Sequence, residues 1–336
     1  MAEKTYAADK AENLWGNSKV FCGGRFVSGP DGRSAIATTL MVAVPSVVWQ
    51  VVVGSWFVER YGFIFALFGG VLSCASLGLL LATAFSDPGI MLRQQDYTEQ
   101  YDPLSGVNRT KQPSRYYDVV LRGHATKLKY CVTCNIYRPP RCTHCSVCEN
   151  CVERFDHHCP WIGNCVGKRN YWLFFSFVTC TGTLNAYSLA TAAALLTIRG
   201  QELSEPGLKL STTGAFVETM RQEPFTVALA IYCTLLVWFT VGLCMYHSYL
   251  IATNQTTYEQ IKGLYSNGNN PFHRGSIAGN YEDILCAPIR PRFFNGQTGQ
   301  LEWPMNSMEA MRRKAVVKSE ASRACAPSGS PPRDVP

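Results

Sequence analysis

Residues 131–165 read CVTCNIYRPPRCTHCSVCENCVERFDHHCPWIGNC, and eight of the chain's 15 cysteines fall inside them: Cys131, Cys134, Cys142, Cys145, Cys148, Cys151, Cys159 and Cys165. Three histidines, His144, His157 and His158, are interleaved with the thiols. Two-residue gaps between cysteines are the spacing of zinc knuckles, whereas a disulfide framework belongs to small secreted domains. The stretch therefore predicts a compact zinc-binding domain over 131–170.

On either side of it lie the chain's longest apolar windows. A membrane-crossing helix needs about 20 mostly apolar residues, and windows 35–58, 61–85, 171–198 and 224–252 qualify. The first two contain no Asp, Glu, Lys or Arg and are separated only by Glu59 and Arg60, which reads as a tight helical hairpin. Gln50, Asn185 and His247 are polar residues within spans, at a cost too small to reject them. Charged residues make up only 16% of the 336, too few to cover a water-soluble surface, where about 25% is usual. The fold class expected is an all-α polytopic membrane protein, with four transmembrane helices and a small two-zinc cysteine-rich cytosolic domain between helices 2 and 3.

The remaining segments are 1–34 at the amino end, a linker at 86–130, a loop at 199–223, a carboxy-terminal region at 253–304 and a tail at 305–336. Residues 326–332 of that tail read Ala-Pro-Ser-Gly-Ser-Pro-Pro, a composition that cannot build a core and predicts disorder. No internal repeat is present. The residues before 35 are mixed and charged, unlike a cleaved signal peptide.

Lys and Arg set the orientation of the spans. Five lie before residue 35, twelve in 86–170 and ten after 252, against Arg60, Arg199, Lys209 and Arg221 on the other side. Both ends and the cysteine-rich domain are thus expected in the cytosol, with 199–223 lumenal. Cytosol is a reducing compartment in which clustered thiols bind zinc. The formal charge of +7 then reads as topology plus attraction to anionic lipid, not as nucleic-acid binding.

Eight cysteines and three histidines give eleven candidate ligands, and two closed tetrahedral sites use eight. Three are surplus. Cys142 reads as a packed thiol. Cys159 admits two readings: a zinc ligand, or a nucleophile, because Asp156 and His157 precede it closely. A thiol, an imidazole to deprotonate it and a carboxylate to orient the imidazole are the parts of an activated nucleophile. A membrane-anchored zinc scaffold that recruits partners would need the zinc ligands but not this trio. Isolated His124, His247 and His273 read as surface or core residues, and a transporter would want more ionisable groups in its spans.

Asp156-His157-His158-Cys159 in a cysteine-rich domain between spans two and three resembles the DHHC family of protein S-acyltransferases. Pro160-Trp161, Asn164, Asn170-Tyr171, Asp87-Pro88-Gly89, Thr256-Thr257-Tyr258-Glu259 and the stretch from Pro271-Phe272 to Asn280-Tyr281 fit the same family pattern. The resemblance covers about 25–294. It implies that one zinc is held by Cys131, Cys134, His144 and Cys151 and the other by Cys145, Cys148, His158 and Cys165. By the same resemblance Cys159 accepts the acyl group, His157 is its base, Asp156 orients His157, and Cys142 has no role. It further implies that Trp161 lies near the thioester, that Thr257 reaches Asp156 and that Asn280 supports the site.

The cofactors implied are two structural zinc ions, with acyl-CoA (palmitoyl-CoA) as co-substrate. Arg138, Arg141 and Lys168 are candidates for its phosphates. The partners implied are cysteine-containing, membrane-associated protein substrates, with room for an accessory subunit. The compartment implied is the Golgi, the endoplasmic reticulum or the plasma membrane.

Overall fold

The computed structural model describes residues 15–91, 93, 100–102, 107–109, 114–121, 124–204 and 211–286. The tail expected at 305–336 lies outside them, as do residues 1–14 and parts of the 86–130 linker.

The structure is mostly helical. Helix α1 runs over Gly32–Tyr61, α2 over Ile64–Ala84, α3 over Tyr171–Leu203, α4 over Thr212–Gln222 and α5 over Pro224–Ala252. Two short helices follow, α6 at Thr257–Ile261 and α7 at Ile277–Tyr281. Among the described residues, three helices, α1, α2 and α5, are long and apolar enough to cross a membrane.

Helix α3 is longer, at 33 residues or about 50 Å at 1.5 Å per residue, but it is more polar. Its position explains why. It packs along both α2 and α5 and carries the polar groups that the bundle keeps inside, among them Asn185, Ser188 and Thr191. Asn185 Nδ2 donates to Thr240 Oγ1 of α5 at 3.4 Å, and Trp49 Nε1 of α1 donates to Thr191 Oγ1 at 2.8 Å. Within α1, Pro45 lacks an N–H, and Trp49–Gly54 winds as a π-helix, a departure from regular winding often found near functional sites.

Between α2 and α3 the all-α plan gives way to short antiparallel strands. Ligands spaced two residues apart need tight turns, so the ladders among them are only two or three residues long, while the longer pairing of Tyr116–Leu121 with His124–Cys131 leads up to the first ligand. Ile90–Met91 pairs with Asn150–Val152, which pairs with Thr143–Cys145. His157–Cys159 pairs with Asn164–Val166.

Asn164 and Arg141 are among the residues that join this domain to the bundle. Asn164 Nδ2 donates to the carbonyls of Val27, Ala84 and Ser86 at 3.0–3.2 Å, holding the loop to the end of α2. On the other side Arg141 makes a bidentate pair with Glu259 of α6, both contacts 2.7 Å. Asp87 fastens the turn after α2, accepting from the Gly89 and Ile90 amides at 2.8 and 3.0 Å.

Candidate active site

Strand alternation sorts the adjacent candidates. Successive side chains on a strand point to opposite faces, so in His157–Cys159 the imidazole of His157 and the thiol of Cys159 share one face while His158 takes the other. His158 lies directly opposite Cys165 in the register. The same rule separates His144 from Cys145: His144 pairs across the ladder with Cys151, and Cys145 turns the other way.

Two ligand groups result. Cys131, Cys134, His144 and Cys151 form one, and Cys145, Cys148, His158 and Cys165 the other, each with its ligand atoms within 4.8 Å of one another. His144 Nδ1 lies 3.6, 3.5 and 3.8 Å from the sulfurs of Cys131, Cys134 and Cys151. His158 Nδ1 lies 3.4 and 3.6 Å from those of Cys148 and Cys165. A tetrahedral zinc with Zn–S of about 2.3 Å and Zn–N of about 2.0–2.1 Å has edges of about 3.5–3.8 Å between ligand atoms, so both donor sets fit that ion. Each histidine also turns Nε2 towards a carboxylate, His158 to Asp31 at 2.9 Å and His144 to Glu149 at 3.6 Å. That arrangement orients a metal-binding imidazole.

Cys159 belongs to neither group. Its side chain is buried among Leu80, Phe174, Phe177 and Val178. His157 stands beside it, with Nδ1 2.6 Å from Asp156 Oδ2 and its side chain also engaging the Cys159 thiol. With Nδ1 committed to Asp156, Nε2 is the nitrogen left for the sulfur. Burial works against a charged His157, but Asp156 and Cys159 outweigh it and raise its pKa to about 9. For Asp156, 1% exposed, burial favours the neutral form, yet the hydrogen bonds from His157 and Thr257 hold it below the usual carboxylate range.

Thr257 supplies two of the groups on that carboxylate: its amide donates to Asp156 Oδ1 at 2.9 Å and its hydroxyl to Oδ2 at 2.7 Å. Local sequence explains the aim. Thr256 accepts from the Glu259 amide and Glu259 accepts from the Thr256 amide, a reciprocal cap that starts α6 with its first N–H pointing at Asp156.

A cavity of about 240 Å³ opens from Cys159 into the bundle. Residues of α1, α3 and α5 line it, including Pro45, Phe177, Ser188 and Cys233, and its surface is almost wholly apolar. Trp161, 49% exposed, lies at the Cys159 end, 6.3 Å from Phe239 between ring centroids.

The other expected residues are dispersed. Asn280 is buried at the end of α5, donating to the Ala252 carbonyl at 2.7 Å and accepting from the Arg274 amide at 2.8 Å. Arg141, expected among the phosphate-binding residues, is committed elsewhere: beyond Glu259 it donates to Asn254 and lies 4.5 Å over the Phe272 ring. Lys168 pairs with Glu153 at 2.6 Å, and Arg138 lies against the Cys131 thiol. Cys142 is buried beside the first ligand group. His247, read with His124 and His273 as a surface or core residue, is buried in the core, with Nδ1 3.0 Å from Tyr171 Oη and its ring 5.9 Å from that of His157.

Sequence reasoning missed Asp31, Glu149 and the Arg141–Glu259 pair. Only Thr256-x-x-Glu259, the signature of a capping box, offered a signal for any of them.

A family model described as DHHC palmitoyltransferase matches residues 124–264. The chain is 37% identical over 301 residues to Palmitoyltransferase ZDHHC14 of Mus musculus, covering 86% of this chain and 59% of that protein. It is 35% identical over 291 residues to Protein S-acyltransferase 8 of Arabidopsis thaliana, covering 83% and 69%. With Probable protein S-acyltransferase 1 of Arabidopsis thaliana it shares 33% over 309 residues, covering 88% and 87%. The chain thus spans less than two thirds of the mouse relative and most of the last plant one.

Proposed function

Because the chain belongs to the DHHC palmitoyltransferase family, we propose that it moves a long-chain acyl group from acyl-CoA to cysteine thiols of membrane-associated proteins, through an acyl thioester on Cys159. The observation that carries this reading is the sulfur left outside both ligand groups, beside an Asp156–His157 pair and at the opening of an apolar cavity.

In the first step His157 Nε2 takes the Cys159 proton, and the sulfur attacks the thioester carbonyl of acyl-CoA. The bond to the CoA sulfur breaks, and that sulfur leaves with the proton from His157. In the second step His157 takes the proton of a substrate cysteine, whose sulfur attacks the Cys159 thioester. Cys159 leaves as thiolate and recovers the proton. Asp156 holds His157 in the tautomer that exposes Nε2, and Thr257 holds Asp156. One thioester replaces another in each step, so concentrations set the direction.

Zinc, when bound by the two Cys3His sets, supplies cross-links that hold the His157–Cys159 strand. The acyl tail lies in the cavity, since each buried CH2 contributes about 0.8 kcal/mol, and the CoA head stays in water. Lys168 and Arg138 are the candidates for its phosphates, Trp161 for the thioester's neighbour and Asn280 for support of the α5 end. The bundle crosses the membrane four times, α3 included, with the cysteine-rich domain and both ends of the chain cytosolic. The charge distribution supports that orientation. An endomembrane or plasma-membrane location and an accessory subunit belong to the same reading.

The test is intact-mass measurement after incubation with palmitoyl-CoA. Wild type is expected to gain one hydroxylamine-labile acyl group, and Cys159→Ser none, with two zinc ions per chain in both. An unchanged acyl load in the variant, or loss of its zinc, overturns the assignment of Cys159.

A further inference from the structure

The 19–28 hairpin has two faces of opposite character. Its register sets Val20 against Val27 and Phe21 against Phe26. Val27 is fully buried, whereas Phe21 and Phe26 stand 44% and 46% exposed. Phe21 also meets Phe85, edge-on at 6.4 Å between centroids, and Phe85 is the residue that follows the last turn of α2. Three exposed phenyl rings therefore form one patch, which a surface facing only water avoids. Lys19 and Arg25 on the same hairpin are exposed cations.

This hairpin is held at a fixed height. The Val27 amide donates to the Phe85 carbonyl at 2.9 Å. Asn164 Nδ2, which binds the carbonyls of Val27 and Ala84, belongs to the residue paired across the ladder with Cys159. The patch, the end of an apolar helix and the strand of the free thiol are thus parts of one hydrogen-bonded assembly.

We propose that the 19–28 hairpin is a leaflet anchor. Phe21, Phe26 and Phe85 enter the interfacial layer of the bilayer, Lys19 and Arg25 meet anionic phospholipid headgroups, and Asn164 transmits that depth to Cys159. The occupant is phospholipid, for two reasons on the molecule itself. The patch continues the apolar surface of α2 past its last turn, and its flanking charges complement a leaflet rich in anionic lipid. The anchor rests on reading α1 and α2 as spans; only its effect on Cys159 rests on acyl transfer.

The test uses the full zinc-loaded chain in nanodiscs of phosphatidylcholine and phosphatidylserine. A benzophenone-bearing phenylalanine replaces residue 21, 26 or, as a control, Val132, which is exposed on the cysteine-rich domain. After irradiation, mass spectrometry is expected to find phospholipid adducts at 21 and 26 and none at 132. Omitting phosphatidylserine is expected to lower the yield at 21 and 26. Absence of lipid adducts at both positions, or equal labelling at 132, overturns the anchor, and a yield indifferent to phosphatidylserine overturns the role of the cations.

A second variant, Phe21→Asp with Phe26→Asp, tests the link to Cys159. It is expected to keep two zinc ions per chain and lose acyl loading in nanodiscs. Wild-type loading with intact zinc overturns the link. If wild type itself takes no acyl group, the acyl-transfer reading fails, while the crosslinks still decide the anchor.

Discussion

Asp31 holds His158 Nε2 at 2.9 Å across 127 residues of chain, so the residue just before α1 orients a candidate metal ligand in the domain that follows α2. Gly163 makes the approach possible. Its φ is +64°, and a Cβ there would lie 2.6 Å from the Asp31 carbonyl oxygen.

Removing that carboxylate should weaken the second zinc site without emptying the first. Asp31→Asn is expected to lower zinc affinity there about 10–100-fold, the usual effect of losing such a partner. Competition with a chromophoric chelator reads the two sites as separate phases. Glu149→Gln should do less, because His144 Nε2 is farther from that carboxylate, at 3.6 Å.

Arg141 carries the second prediction. Its pair with Glu259 is nearly enclosed, with side-chain exposures of 8% and 3%, and breaking a buried pair by removing one partner costs about 3–5 kcal/mol. Arg141→Ala should therefore lower the melting temperature in detergent, and Arg141→Lys should rescue only part, since an ammonium cannot make the bidentate contact. The KM for palmitoyl-CoA should stay unchanged in the folded fraction of the Lys variant. A raised KM at full stability would return Arg141 to the phosphate-binding residues.

How much of this was legible in sequence depended on how far each interaction reaches along the chain. The two ligand groups and the Asp156–His157–Cys159 trio draw on residues 131–165 alone. Spacing there marks eleven candidates and leaves Cys159 open between ligand and nucleophile; the family resemblance implies the sorting, and strand alternation in the structure gives its physical reason. Asp31 gave no comparable sign, and Glu259, though marked by the Thr256-Thr257-Tyr258-Glu259 motif, gave none of its pairing with Arg141. A lone carboxylate looks like any solvated charge until the fold brings its partner from 118 or 127 positions away. Window 171–198 reads as a span despite its polar residues, and the structure shows where those go: Asn185, Ser188 and Thr191, which lower the hydropathy of α3, are buried within the bundle.

Thr257 offers a test of the carboxylate's role. Thr257→Val removes the hydroxyl that donates to Asp156 Oδ2 at 2.7 Å but keeps the amide at Oδ1. A hydrogen bond to a charged group contributes about 1.5–3 kcal/mol. If most of that is expressed in the transition state, acyl loading of Cys159 should slow about 10–100-fold. Zinc content should not change, and Thr257→Ser should restore the rate. Loss of zinc in the Val variant would assign Thr257 to folding instead.

Helix packing inside the bundle carries the last prediction. A Cβ on Gly69 of α2 would lie 2.2 and 2.4 Å from Cζ3 and Cη2 of Trp49, the buried residue that begins the π-helical turn of α1. Small residues let membrane helices approach closely, and here the missing side chain is the slot for an indole. Trp49 cannot withdraw freely, because its Nε1 donates to Thr191 of α3 at 2.8 Å. Gly69→Ala should thus destabilise by about 1–3 kcal/mol, the range for overpacking, seen as a lower melting temperature in detergent. Trp49→Leu vacates the slot and forfeits the hydrogen bond, so it should be destabilising alone. The double variant should be more stable than the two single effects summed, a positive coupling expected only if the clash is direct. Strict additivity would mean that α1 and α2 do not meet at this pair.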